Sequence, residues 1–347
     1  MKFGLVFCDQ TVDAGKLGQA YGAMLEQVLL AEKRGFDAAM VCEHHFTKHG
    51  YYPSPLLVCA GLAQATKRIR IGSAVLLLPL WNPLHVAEAA ATLDVMSGGR
   101  LILGLGQGYR AEEFGAFQVS LHERGARLVE GTRIIRRLFT EDNVSHKGRF
   151  YEFADLTLTP KPVQKPHPPI WIAAKSEAAV RRAARVGDAY FADPVTPFGV
   201  LKERYRAYRD ELQRHGRDFE QLERPMFREC YVTDGGADAW EEAGPHVLGI
   251  YGDYYQWGHL QDESGNLVKP GERSYEEFLE VLRKRFIMGD PDSVIEEIAR
   301  YERDLGITEL ILRIHFPDMP QRKVLRAITM LADKVIPYFS ERRAGRR

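Results

Sequence analysis

The sequence predicts an α/β protein, a closed (β/α)8 TIM barrel enlarged by insertions. Three observations carry that prediction. Eight short apolar runs punctuate the chain, and amphipathic helical stretches follow most of them. The runs are near-continuously apolar rather than alternating, as a parallel sheet covered on both faces requires. Polar and unusual residues collect at the ends of these runs, where a barrel of this kind carries its chemistry. An open doubly wound sheet is the other architecture that the alternation allows.

In chain order, residues 3–7 read as a buried strand. Over 17–33, Leu25, Val28, Leu29 and Glu32 keep helical spacing, and Gly35 supplies a stop. Strand 38–42, helix 55–64, strand 69–78 and helix 83–96 follow. Then come strand 101–106, helix 124–139, strand 169–173, helix 176–186 and a short strand 188–191. Helix 198–215, strand 226–232, helix 291–305, strand 309–314 and a closing helix 325–339 complete the series. Asp290-Pro291 suits an N-cap followed by the first helical position. Residues 144–162 read as a hairpin insertion. Residues 249–273, rich in Gly and Tyr, read as a long irregular loop of the kind that forms lids and binding loops. No internal repeat stands out. The expectation is one domain over 1–347, with insertions near 144–162 and 249–273.

Composition removes several function classes. The chain has 347 residues, and 47 Lys+Arg balance 47 Asp+Glu. Zero formal charge argues against nucleic acid as a main partner, because phosphate binding needs a cationic surplus. The length is ample for a large core. The four cysteines, Cys8, Cys42, Cys59 and Cys230, form no CxxC pair. So few in a long chain predict a reducing compartment and no disulfide framework. The N-terminal apolar run stops at Asp9 and lacks a cleavage site, so no signal peptide is expected. The apolar run 74–81 is broken by Pro79 and is too short for a membrane span. A soluble cytoplasmic protein is expected. The terminal Arg342-Arg343 and Arg346-Arg347 read as a solvated tail.

Several strand ends carry chemistry. Strand 1 ends at Asp9-Gln10, strand 2 in Glu43-His44-His45-Phe46, and strand 8 at His315. Successive strand residues point to opposite faces, so His44 and His45 do not share one ion, and no metal site is expected. A histidine beside a glutamate at a strand end is a natural general acid or base, or else a group satisfied by local hydrogen bonds. His44 and His45 are the candidate catalytic residues. Gly104-x-Gly106-x-Gly108 is not a dinucleotide fingerprint, since the third glycine would fall at Tyr109. These glycines read instead as letting the backbone approach a flat ligand, or as a plain tight turn. Ala174-Lys175-Ser176 opens a helix. Ser176 is a capping residue, and the free N–H groups with Lys175 also make an anion site. Tyr251, Tyr254, Tyr255 and Trp257 either line a cavity or pack the loop down.

These features together resemble the bacterial luciferase-like family of flavin-dependent monooxygenases, over almost the whole chain. The marks are Met1-Lys2-Phe3-Gly4, Glu43-His44-His45-Phe46-Thr47, and Ile71-Gly72-Ser73-Ala74 with Pro79. Asp94-x-Met96-Ser97-Gly98-Gly99-Arg100-Leu101 leads into Gly104, Gly108, Glu113 and Phe114. Ala174-x-Ser176 and Val335-Ile336-Pro337-Tyr338 complete them. The resemblance implies a luciferase-like barrel, often dimeric, with reduced FMN in its C-terminal mouth. The flavin phosphate is implied at Ala174, Lys175, Ser176 and Gln107. The ring is implied against Ala74-Val75, where the family can carry a non-prolyl cis peptide, with Glu43, Tyr109 and Glu113 near it. His44 matches the family's catalytic histidine, implied to assist proton transfer. The implied reaction uses oxygen and FMNH2 from a separate flavin reductase to oxidise a small, apolar organic substrate. A deazaflavin-dependent dehydrogenase and a non-catalytic flavin-binding protein are the alternatives. The chain departs from luciferase itself. Gln107 stands in place of an arginine, Lys175 in place of a glutamate and Ala179 in place of a threonine, so light emission is not implied.

Overall fold

A computed structural model describes the chain except residues 9, 12, 236–237, 270, 272–273 and 345–347. Asp9 and the terminal Arg346-Arg347 therefore lie outside the described residues. Among the described residues the strands are, in order, β1 (Lys2–Phe7), β2 (Ala38–Val41), β3 (Arg70–Ser73), β4 (Leu76–Leu77), β5 (Leu101–Gly106), β6 (Val144–Lys147), β7 (Glu152–Leu156), β8 (Ile170–Ala174), β9 (Ala189–Ala192), β10 (Pro225–Val232), β11 (Ile287–Gly289) and β12 (Glu309–Arg313). Parallel pairing runs β1-β2-β3-β5-β8-β9-β10-β12, and β12 returns to β1. The sheet closes on itself as an eight-strand parallel barrel with surrounding helices. Strands such as β5 and β10 are buried along their whole length, which explains their unbroken apolar pattern.

The strand expected over 69–78 is two strands. The peptide between Ala74 and Val75 is cis, and it separates β3 from β4. The glycines of β5 face this break. A Cβ on Gly104 would lie 1.9 Å from the Ser73 carbonyl oxygen, and one on Gly106 would lie 2.4 Å from Val75 Cγ2. Their bareness admits the neighbouring strand. Of Gly104, Gly106 and Gly108, Gly108 alone has a positive φ, at 72°.

The helices are α1 (Leu17–Lys33), α2 (Pro55–Ala65), α3 (Pro83–Ser97), α4 (Ala111–Ala116), α5 (Arg124–Thr140), α6 (Glu177–Val186), α7 (Phe198–Arg214), α8 (Ala239–Gln256), α9 (Tyr275–Arg283), α10 (Pro291–Leu305), α11 (Gln321–Met330) and α12 (Ile336–Ala344). A π-helical turn, Leu331–Val335, links the last two. Asp290 caps α10 through Ser293 N, with Pro291 next, as the sequence predicts. Asp94, Gly98 and Arg100 also have local structural work. Gly98 ends α3 in the left-handed conformation, Asp94 accepts from Gln164, and Arg100 donates to the last carbonyls of α2.

Two expectations change. The hairpin insertion is present as β6–β7, antiparallel. The segment from 249, expected as irregular loop, begins inside α8 despite Pro245, Gly244, Gly249 and Gly252. Tyr251 and Tyr255 sit one helical turn apart and are buried, and this packing outweighs the weak intrinsic helix preference. Irregular backbone starts only at Trp257. Strand β11 lies beside β10, outside the barrel ring, and is too short to stand out as an apolar run. Cys8 and Cys42, at the ends of the adjacent strands β1 and β2, are joined as a disulfide with Cα atoms 5.2 Å apart. No disulfide was expected. The pair is set by strand adjacency, which sequence spacing of 34 does not reveal. Among the described residues, no helix is long and apolar enough to cross a membrane.

Candidate active site

A cavity of about 460 Å³ opens where the strands end. This is within the usual range for small-ligand sites. Its walls come from the tips of β1, β2, β5, β8, β9, β10 and β12, the cis segment, and the loop after α8.

Of the residues singled out in the sequence, Glu43, His44, Ala74, Val75, Gln107, Tyr109, Ala174, Lys175 and Ser176 line this cavity. Glu113 and His45 do not. Glu113 stands directly behind His44: its Oε1 lies 2.8 Å from His44 Nδ1 and accepts from His45 N at 2.9 Å and Arg110 at 3.0 Å. Burial alone would raise the Glu113 carboxyl. The bond and charge of His44, the His45 amide and Arg110 reverse this and hold it below the usual carboxylate value. Ionised Glu113 accepts a hydrogen bond from His44 Nδ1–H, which turns Nε2 toward Tyr109. Tyr109 Oη lies 3.3 Å from that Nε2. Burial lifts the Tyr109 phenol well above its ordinary value, so it stays protonated. Tyr51 and Trp257 fix the imidazole on its other sides, with ring centroids at 4.8 and 5.5 Å. Arg110 stacks over Trp257 at 4.5 Å.

His45 faces away from the cavity. Its Nε2 is 2.5 Å from Glu43 Oε1, and its ring packs on Phe117 at 4.8 Å. The same Glu43 accepts from Leu77 N and Trp81 Nε1, both at 2.9 Å. The Glu43–His45 pair therefore fixes the chain just beyond the cis segment. Both histidines lie beyond the end of β2 at Val41, and their contacts separate them, His44 on Glu113 and His45 on Glu43. Among the described residues, no cluster of three His, Cys, Asp or Glu could hold a metal ion.

The cationic end of the cavity is richer than the sequence suggests. Ser176 Oγ caps α6 by accepting from Ala179 N at 3.3 Å. Lys175 also lines the cavity, and its Nζ donates to the His259 carbonyl oxygen, tying down the loop after α8. Gln107 Oε1 accepts from Arg182 at 3.0 Å, so an arginine stands behind the position where the sequence shows none. Arg124 and Arg204 line the same wall and were not singled out. Arg124 Nε is buried without a partner, an unspent donor beside the helix start. Its only sequence signal is its place at the opening of a helix. His259, also missed, stacks on Tyr109 with centroids 3.8 Å apart and planes 14° apart. Burial, reinforced by the charges of Lys175 and His44, drives its imidazole well below the ordinary value, so it is neutral.

These residues fit a flavin phosphate at one end and a flat ring along the other. Arg124, Lys175, Ser176 and the Gln107 amide would take the phosphate. Ala74, Val75 and Gly106 present an apolar wall to the ring.

The luciferase-like monooxygenase family profile matches residues 1–309. The oxygenase component of flavin-dependent trigonelline monooxygenase from Acinetobacter baylyi is 29% identical, over 100% of this chain and 98% of that protein. An F420-dependent glucose-6-phosphate dehydrogenase from Microbacterium testaceum is 30% identical, over 92% of this chain and 94% of its own. The crystal structure of monooxygenase RslO1 from Streptomyces bottropensis superposes with a TM-score of 0.83 at 27% identity, covering 98% of this chain and 100% of that one. The chain belongs to the luciferase-like monooxygenase family and is an oxidoreductase of that family.

Proposed function

We propose that this chain is the oxygenase of a two-component system, using oxygen and reduced FMN delivered by a separate flavin reductase to oxygenate a small organic substrate. The observation that carries this reading is the Glu113–His44–Tyr109 array, which presents a proton-handling Nε2 to a cavity with an apolar wall and a cationic end. The oxygenase-component relative supports it. One oxygen atom enters the substrate, the other leaves as water, and reduced FMN supplies the two electrons. His44, backed by ionised Glu113, holds or passes a proton at Nε2, and Tyr109 orients it. Tyr109, His259 and Trp257 cover the site and exclude water. We propose further that it acts as a homodimer in the cytoplasm.

Chemically reduced FMN added anaerobically, followed by oxygen, is the direct test. The expected result is substrate-dependent oxygen uptake with stoichiometric oxygenated product. The F420-dependent relatives favour a second reading, a deazaflavin-dependent dehydrogenase. On that reading F420 is reduced by a substrate and no oxygen is consumed.

Lys175 makes the cofactor site pH-sensitive. Burial lowers its ammonium from 10.5 to about 8, against the opposing pull of Asp193. A phosphate anion beside it favours the charged form and raises that value again. Proton uptake then accompanies binding above pH 8, so FMN affinity is flat below pH 8 and falls above it. The expected loss is at most about tenfold per pH unit. Fluorescence titration of FMN from pH 6.5 to 9.5 checks it, and Lys175→Met is expected to flatten the profile.

A further inference from the structure

The cofactor reading uses the cis segment, β5 and the cationic wall. It leaves a buried charged pair unexplained on the far side of the mouth. In the ring of eight strands, β10 lies across from β3 and β12 across from β5. From these two strands, side by side in register, Glu229 and Arg313 both reach the cavity. They are 0% and 1% exposed.

The two charges do not satisfy each other. Their closest approach is 3.7 Å, between Arg313 Nη1 and Glu229 Oε1, which is an ion pair without a hydrogen bond. Glu229 Oε1 instead accepts from Tyr251 Oη. Arg313 Nη2 donates to the Cys8 carbonyl oxygen at 3.3 Å and to Gln10 Oε1. That leaves Arg313 Nε and Gln10 Nε2 as buried donors without partners, and Glu229 Oε2 as an acceptor without one. Burial pushes the Glu229 carboxyl upward, against the pull of Arg313, so the guanidinium is the better established of the two charges. An orphaned buried guanidinium edge is costly in a finished core, and planar oxyanions match its fork. Phe227, Tyr251 and Tyr254 line the same cavity, and the Tyr254 hydroxyl also interacts with Arg313.

We propose that Arg313 anchors a carboxylate on the substrate, which makes the substrate a small organic acid with an apolar body rather than a wholly apolar molecule. This deepens the oxygenase reading and rests on it for the reaction, though not for the binding. The acid's carboxylate takes the free Nε edge of Arg313, the body lies among the aromatic walls, and its far end points across the mouth toward His44 and the cis segment. The unpaired donors of Arg313 and Gln10 select acids over isosteric amides, since an amide brings no charge to the guanidinium.

Calorimetric titration of the full chain, with and without saturating FMN, tests this with benzoate and hexanoate against benzamide and hexanamide. Each acid is expected to bind at least about tenfold more tightly than its amide, the scale of one charge-assisted hydrogen bond. Arg313→Met removes that preference, and Arg313→Lys retains part of it. Because Arg313→Met leaves Glu229 alone in the core, the double variant Arg313→Met/Glu229→Gln removes both charges and is measured alongside. Equal affinity for acid and amide, failure of both acids to bind, or an unchanged preference in the folded variants overturns the proposal. Oxygen uptake with reduced FMN is read separately. Acid binding through Arg313 without such uptake refutes the oxygenase reading alone, whereas uptake without Arg313-dependent acid binding refutes this inference alone.

Discussion

His44→Ala is expected to bind FMN as tightly as the unaltered chain and to lose about 100- to 10,000-fold in kcat/KM for substrate oxygenation. The range is that of a positioned general acid–base group. The reason is positional: His44 alone among these groups lines the cavity while hydrogen-bonded to a buried carboxylate through its other nitrogen. Arg124, Lys175 and Ser176, which would hold the cofactor phosphate, make no hydrogen bond to His44 and are left in place. His45→Ala is the matched comparison. His45 braces Glu43, which in turn holds Leu77 N and Trp81, so its loss is expected to lower thermal stability with a far smaller effect on turnover per folded molecule. Steady-state kinetics with excess reductase, alongside thermal melts, separate the two. Comparable losses of turnover in both variants would contradict the assignment of the proton to His44.

Gly104→Ala is expected to be the most damaging single methyl group in the barrel. The new Cβ would sit 1.9 Å from the Ser73 carbonyl oxygen, a backbone atom that cannot rotate away. Ser73 Oγ also donates to Gly104 O at 2.7 Å, so the two strands are already pinned together. Relief requires moving β3 or β5. A cost of about 3 kcal/mol or more is expected, seen as a melting-temperature drop of about 5 °C or more. FMN affinity is expected to fall with it, because Ala74 and Val75 follow Ser73 directly. Gly61→Ala is the control. It lies in α2 with no atom within 4 Å of the added Cβ, and is expected to be neutral or slightly stabilising. An unchanged melting temperature in Gly104→Ala would mean the strands separate more easily than their contact implies.

Much of the fold was legible because it is written in local pattern. The strand and helix periods, Gly35, the Asp290-Pro291 start and the Ser176 cap are all near-neighbour effects. So was the clustering of chemistry at strand ends, since closing eight parallel strands brings those ends to one mouth. Where pattern misled, packing had the stronger voice. The glycine- and proline-rich stretch around 244–252 is helix because its tyrosines find buried positions. Gly104 and Gly106 are bare where a neighbouring strand crosses them, a contact that the sequence does not show.

The site divides in the same way. The sequence by itself determined which residues stand at strand ends. Only the tertiary structure decided which of His44 and His45 faces the cavity. That choice depends on Glu113, 69 residues from His44, and on Arg110 beside it. Only closure of the barrel put Arg313 against Gln10, 303 residues away, and beside Glu229. The same closure brought Cys8 to Cys42, and the packing of the loop after α8 laid His259 on Tyr109. Backbone periodicity fixes where a side chain leaves its own strand or helix, over a few residues. What it meets is fixed by elements that arrive from far along the chain, and hydrogen bonds and charges acquire their meaning only there.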